Sequence, residues 1–371
     1  METAIYITIS LVLIYSILFF IFFLHLKQNP KNYFLEKYPE ISVIIPFRNE
    51  EKNLENLFNS ILQINYPSSG YEIIFVNDES QDASVSLVNE FAVGKKNIRL
   101  IHSCGGKKQA LLNGVTESQF ELIACTDADS VLSKDWLMST AFLFENPKIQ
   151  LVLGTVVFRE ENSLFKKIME LEFSGLMAST AGSALSNLAI MANGASIFFR
   201  KELYVGFSPN LVQSRYKSGD DTFLLSATIA AHGYKSIAYN LHPSGIVITS
   251  SPNNFSEFFQ QRLRWASKSH VYGNLIISSI ALLVLLSNFG LLALLFIVIA
   301  GEPLPLKILS LLGILLKLAT DYMLVNRFRT IIKAKTKPLL FLVSWIFIPI
   351  YYFIVILLLP FIKVKWKGRG I

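Results

Sequence analysis

The sequence predicts an α/β protein with a mainly parallel sheet, held between apolar helices at the two ends of the chain. Three observations predict it. Short β-branched runs alternate with amphipathic stretches from Ile41 to Cys125, each run stops abruptly on polar residues, and long stretches almost free of charge lie before Leu26 and after Val271. Strands alternating with helices imply βαβ units with right-handed crossovers.

Taken in order, Ile41-Ser-Val-Ile-Ile45 reads as a buried strand ended by Pro46, and Glu50 to Leu62 as a helix with Leu54, Leu57, Phe58, Ile61 and Leu62 on one side. The pattern repeats. A strand over Glu72–Val76 leads to a helix from Ser80 to Phe91, and a strand over Ile98–Ile101 to a helix from about Lys107 to Val115. A fourth apolar run, beginning at Leu122, ends in Thr126-Asp-Ala-Asp-Ser130. Further on, helices are expected over Thr222–Ala231 and Phe255–Lys268.

The ends are different in kind. From Thr3 to Leu26 no side chain is acidic or basic except His25, giving about 36 Å of helix, enough to cross a bilayer. A cleaved signal peptide competes with this reading, but the segment opens Met1-Glu2 and exits into Lys27, Asn29 and Lys31, which favours a retained anchor and a cytoplasmic α/β domain after it. After Val271 come apolar segments to Ala300, with a break expected at Asn288-Phe289-Gly290, over Leu304–Val325 and over Pro338–Ile362, the last of which, with Pro349 inside it, is the first candidate for a re-entrant or interfacial segment. Counted simply, that is four crossings. Lys317 and Asp321 sit i, i+4 inside one of these segments, where pairing is the expected remedy for charge. The expected organisation is an anchor at 1–30, an α/β domain at 38–253, an interfacial helix at 254–270 and about three transmembrane helices within 271–371.

The net charge of +7 is carried by residues flanking apolar segments, so anionic lipid explains it better than nucleic acid. Two cysteines, Cys104 and Cys125, form no metal motif and read as a loop thiol and a buried strand thiol.

Chemistry is expected where strands end, because open α/β sheets bind ligands at their carboxyl edge. Asp127 and Asp129 are two apart on extended backbone, so both can reach one hard cation such as Mg²⁺ or Mn²⁺. Taken alone, a solvated Asp-rich loop is the plainer reading of that pair. Asp78, at the end of the second strand, suits a base or ribose contact, or equally an Asx turn or helix cap. No GxGxxG or Walker lysine loop follows the first strand, so phosphates are left to a metal ion.

In order along the chain, Val43-Ile-Ile-Pro46 with Asn49-Glu50, Asn77-Asp78-Glu79-Ser80-Gln81-Asp82, Gly106-Lys107-Lys108-Gln109-Ala110-Leu111, Asp127 with Asp129, Asn193-Gly194-Ala195, Gly219-Asp220-Asp221 and Gln261-Arg262-Leu263-Arg264-Trp265 make up one set. The set resembles a family 2 glycosyltransferase with the GT-A fold, over roughly Ile41 to Trp265, with Asn77 departing from the family's Asp-Asp-Gly-Ser-x-Asp pattern. The last element matches the QxxRW signature of cellulose, chitin and hyaluronan synthases and of ceramide glucosyltransferases. The resemblance implies Asp221, beside Asp220, as general base, and Pro46, Arg48, Glu50, Asp78, Lys107 and Asp127 around the donor nucleotide. It also implies Asp127 and Asp129 as metal ligands, and Gln261, Arg264 and Trp265 at the acceptor and diphosphate. Two plainer readings stand beside these. Asp220 and Asp221 precede a good helix as cap residues, and Phe255–Lys268 is an amphipathic helix lying in the membrane interface, with Gln261, Arg264 and Trp265 on one face.

The function expected is metal-dependent, inverting transfer from a nucleotide sugar, UDP-linked, to a membrane-associated, lipid-borne acceptor. The catalytic domain is expected on the cytoplasmic side of the membrane, with membrane lipids and no nucleic acid among its partners. A processive polysaccharide synthase and a non-catalytic membrane scaffold are the alternatives.

Overall fold

The computed structural model describes residues 2–27, 35, 37–213, 219–267, 274–359, 361, 365–366 and 369–370. The expectations placed on Asn29, Lys31, Lys268, Val271 and Ile362 fall outside them. In chain order, α1 (Glu2–His25) is followed by β1 (Ile41–Phe47), α2 (Leu54–Ile61), β2 (Tyr71–Asp78), α3 (Ser84–Ala92), β3 (Ile98–Ser103), α4 (Lys107–Glu117) and β4 (Leu122–Cys125). Next come β5 (Val131–Leu132), α5 (Trp136–Ala141), β6 (Leu151–Gly154), β7 (Val156–Phe158), α6 (Leu164–Leu185), β8 (Ile197–Arg200), α7 (Lys201–Gln213), α8 (Asp220–His232), β9 (Ile237–Asn240) and β10 (Val247–Thr249). The chain closes with α9 (Phe255–Ala266), α10 (Leu275–Ile299), α11 (Leu304–Ile331), α12 (Pro338–Leu358) and the short antiparallel pair β11 (Lys365–Trp366) and β12 (Arg369–Gly370).

Two compact units result. The sheet unit comprises Gln28–Arg159 with Asn187–Ser250, and the helical unit Met1–Lys27, Glu160–Ser186 and Ser251–Ile371. The stretch expected as one α/β block, 38–253, is therefore interrupted: α6, which the apolar pattern did not reveal, packs with α1, α11 and α12.

The main sheet runs β3-β2-β1-β4-β8-β6-β9. Its first four strands are parallel, as the alternating pattern predicts, while β8 is antiparallel to both β4 and β6. β1 does not stop at Pro46. Ile44 accepts from Thr126 N on the β4 side, so the residue two further on faces the same way, where β4 has already ended and a missing N–H breaks no ladder bond. The helix α4 lies close on β1 and β2. A Cβ on Gly114 would fall 2.5 Å from Ile44 Cγ2, so glycine at that position is what permits the approach.

Helix starts shift where polar side chains capture the backbone first. Asn77 Oδ1 accepts from Ser80 N at 2.9 Å and Asp82 Oδ1 from Ser84 N at 3.0 Å, so the chain makes an Asx turn and α3 begins at Ser84 instead of Ser80. Likewise Glu50 binds Asn53 through its carboxylate at 2.7 Å and through its carbonyl at 2.8 Å, delaying α2 to Leu54.

In the helical unit, α1, α10, α11 and α12 are each long and apolar enough to cross a bilayer, which makes four candidate membrane spans among the described residues. α10 runs unbroken through Asn288-Phe289-Gly290, with Asn288 Nδ2 turned back onto Val284 O at 2.8 Å, and α12 runs unbroken past Pro349. The Lys317–Asp321 pair forms as expected, at 2.7 Å. Tyr15 OH and Trp345 Nε1 each donate to the same carboxylate at 2.7 Å. α11 continues past Val325 to Ile331, so Arg329 is helical and buried, paired with Glu170 and donating to Ser174 Oγ at 3.1 Å and Lys335 O at 2.6 Å.

Candidate active site

At the carboxyl edge of the sheet, the loops after β1 and β2 are laced together. Asn49 N donates to Ser80 Oγ, Gln81 N to Asn49 Oδ1, Glu50 N to Ser84 Oγ and Glu51 N to Asp82 Oδ2, all within 2.8–3.1 Å. Arg48 joins them, donating to Asp78 O at 2.9 Å and lying 3.6 Å from Glu79. Both Asn49 (φ 52°) and Glu79 (φ 56°) take left-handed backbone, so this edge holds strain that the cross-links stabilise. Asp78 is buried, and its Oδ1 accepts from Gly106 N at 3.0 Å.

Three consecutive residues, Gly106, Lys107 and Lys108, form the entry to α4 and meet three carboxylates from separate parts of the chain. Gly106, at φ 92°, donates to Asp78; Lys107 pairs with Asp127; and Lys108 Nζ lies 3.7 Å from Asp220 Oδ1. Burial alone would make the Lys107 ammonium easier to deprotonate, but Asp127, then Asp220 and Asp221, reverse that and hold it above its ordinary range. Burial lowers Lys108 instead, Asp220 only partly opposing it. The Lys108 ammonium also lies 5.0 Å from the centre of the Phe223 ring.

Asp127 and Asp129 follow β4 and are both half-buried, with Ala128 buried between them. Thr249 Oγ1 donates to Asp129 Oδ2 at 3.3 Å, an approach made by β10 in the small sheet β5-β10-β7. Two half-open carboxylates two residues apart are a donor set that fits a hard divalent cation, with the remaining positions left to water and phosphate oxygens. Among the described residues no group of three or more His, Cys, Asp or Glu gathers as a full metal cage.

α8 begins at Asp220, not at Thr222, with Gly219 as its left-handed cap (φ 98°). The two aspartates thus occupy the first turn, where the helix dipole favours them, and no cap bond comes from a side chain at Gly219. Asp221 Oδ2 accepts from Gly194 N at 3.0 Å and its Oδ1 from Thr222 N at 2.8 Å. Gly194 N–H, Thr249 and Lys108 were not singled out from the sequence as partners of these acids. Only Lys108 left a signal, a second lysine at the positive end of a helix, where a cation is disfavoured.

Gln261, Arg264 and Trp265 belong to the helical unit and share one half-exposed face of α9, with Arg262 and Leu263 buried on the other. Arg262 is the unforeseen residue. It pairs with buried Glu172, donates to Gln261 Oε1 at 2.9 Å and stacks 4.2 Å from the Trp265 ring and 4.7 Å from Phe258.

A parallel-dominated sheet with acidic residues gathered at its carboxyl edge is the arrangement that the GT-A resemblance implies. The comparisons agree: the description Glycosyl transferase family 2 matches residues 42–205 of this chain. It is 26% identical over 281 residues to a poly-beta-1,6-N-acetyl-D-glucosamine synthase of Staphylococcus epidermidis, covering 69% of this chain and 62% of the relative. It is 25% identical over 255 residues to the synthase of the same name in Staphylococcus aureus (strain COL), covering 64% and 58%. The chain thus spans less than two thirds of the length of these curated relatives. Among solved structures, the mannosyltransferase PcManGT from Pyrobaculum calidifontis, in complex with GDP-Man and Mn²⁺, shares the fold at a TM-score of 0.63 and 18% identity, over 96% of this chain and 99% of that one.

Proposed function

We propose that this protein transfers a sugar from a nucleotide sugar, UDP-linked, to a membrane-associated, lipid-borne acceptor with inversion at the anomeric carbon. The observation that carries this reading is the meeting, at the entry to α4, of Lys107 with Asp127 and of Lys108 with Asp220, the neighbour of Asp221. Asp127 and Asp129 are the residues that would hold Mg²⁺ or Mn²⁺, which when bound supplies positive charge to the leaving diphosphate. Asp221, held by Gly194 N–H and Thr222 N–H, accepts the proton of the acceptor hydroxyl. Pro46, Arg48, Glu50 and Asp78 shape the nucleotide side, Lys107 offers its ammonium to phosphate, and Gln261, Arg264 and Trp265 serve the acceptor and diphosphate. The sheet unit is assigned to the cytoplasm from the basic residues that follow α1.

Purified protein in nanodiscs, titrated with UDP- and GDP-sugars with and without Mn²⁺, tests the reading. A true donor at 100 times its dissociation constant adds about 2.7 kcal/mol of stability and is turned over to free nucleotide. Neither stabilisation nor turnover with any donor would overturn it and favour a scaffold. The names of the curated relatives favour a second reading, processive polymer synthesis, and the length of the labelled product separates the two.

A further inference from the structure

We propose that Lys108 is a positioning residue for the catalytic base. The proposal rests on the reading of Asp221 as that base. Lys108 is buried, 6% exposed, and sits in the first turn of α4, where the helix dipole repels a cation. Burial there without a partner would be costly, and a well-packed apolar side chain would serve the core as well or better. What the lysine gains is Asp220, 3.7 Å away and itself buried, with Phe223 beneath the ammonium at 5.0 Å. Asp220 and Phe223 belong to the first turn of α8, and Asp221 lies between them in the chain.

The consequence is a division of labour between adjacent residues. Lys107 turns to Asp127 on the metal side, while Lys108 grips α8 on both flanks of Asp221 and fixes the direction in which that carboxylate is presented. The backbone donors Gly194 N and Thr222 N then hold its two oxygens. Lys108 touches no reacting atom in this scheme. Its influence passes through the placement of α8, and a misplacement of about 1 Å is enough to lower turnover roughly a hundredfold.

The test measures kcat, donor KM and UDP binding by thermal shift for the full chain and for Lys108→Met, Lys108→Gln, Lys108→Arg and Asp221→Asn. We expect Lys108→Met and Lys108→Gln to lose roughly tenfold to a hundredfold in kcat. Donor KM and the UDP shift should stay within about twofold, and Lys108→Arg should recover most of the loss, because a guanidinium can still reach Asp220. Should the methionine variant not accumulate as folded protein, the glutamine variant carries the same reading. Wild-type kcat in Lys108→Gln beside an inactive Asp221→Asn overturns this proposal alone. A donor KM that rises as far as kcat falls also overturns it, by placing Lys108 in the donor site. A fully active Asp221→Asn removes the base and this proposal together.

Discussion

Replacing Arg262 by methionine should unfold the helical unit several degrees earlier, and the structure says how much. Glu172 and Arg262 are 3% and 4% exposed, and the carboxylate has two donors, the Arg262 guanidinium and Tyr351 OH at 2.5 Å. Methionine fills much of the arginine's volume but leaves Glu172 charged, buried and served by one hydroxyl. Breaking a buried pair from one side costs about 3–5 kcal/mol. At about 2–4 °C per kcal/mol for a unit of this size, that is a drop of about 6–20 °C. The double variant Arg262→Met/Glu172→Leu removes the stranded charge and should recover most of the loss, leaving about 1 kcal/mol for the hydroxyl of Tyr351. Thermal unfolding in detergent followed by tryptophan fluorescence measures this, with the Trp265 ring 4.2 Å from the guanidinium as local reporter. Single variants within about 1 kcal/mol of wild type, or a double variant whose loss equals the sum of the singles, would refute the reasoning.

Asp221→Asn should lower turnover by roughly 10² to 10⁴ with donor binding near normal. Asparagine offers one oxygen where the carboxylate uses two, so either Gly194 N–H or Thr222 N–H also loses its acceptor, a stability loss of about 1–3 kcal/mol readable by melting. Asp129→Asn should abolish the Mn²⁺-dependent part of UDP binding without lowering the melting temperature; unchanged affinity in the presence of Mn²⁺ would contradict the metal assignment. Lys317→Leu and Asp321→Leu should each reduce the yield of folded protein more than the double variant does, and equal yields of all three would mean the pair contributes nothing. Burial tends to raise Asp82, but hydrogen bonds from Ser84 and Glu51 N–H outweigh it and hold the carboxyl below its ordinary value. Its stabilisation is therefore full above the unfolded value of about 3.9 and lost as the pH falls through the lower folded value. Wild type and Asp82→Asn should accordingly converge in stability below about pH 4 and diverge above it; a constant gap would show that the charge is not involved.

The parallel strands were legible because β1, β2 and β4 are buried apolar runs bounded by polar residues. Their helices were legible less sharply, since Asn77, Asp82 and Glu50 compete locally for backbone donors and that competition leaves no periodic trace. α6 escaped because it is packed by other helices and not by one apolar face: Glu170 and Glu172 look like surface residues until Arg329, Arg262 and Tyr351 are brought to them from far along the chain. At the site, the acidic residues could be picked out by type and spacing. Their partners could not, because Gly194 and Gly106 act through backbone N–H groups that no side chain announces.

The polar contacts of the helical unit also set an order in which it can be built. Lys317 and Asp321 satisfy one another within a single turn, so α11 can leave the ribosome and enter lipid already neutralised. Tyr15, 306 residues earlier, has waited through the synthesis of nearly the whole chain for that carboxylate. Glu170 and Glu172 wait as well, for Arg329, Arg262 and Tyr351. A nascent chain stopped before α11 would hold Glu170 without Arg329 and Tyr15 without Asp321, whereas Glu172 would already have Arg262 and lack only the Tyr351 hydroxyl.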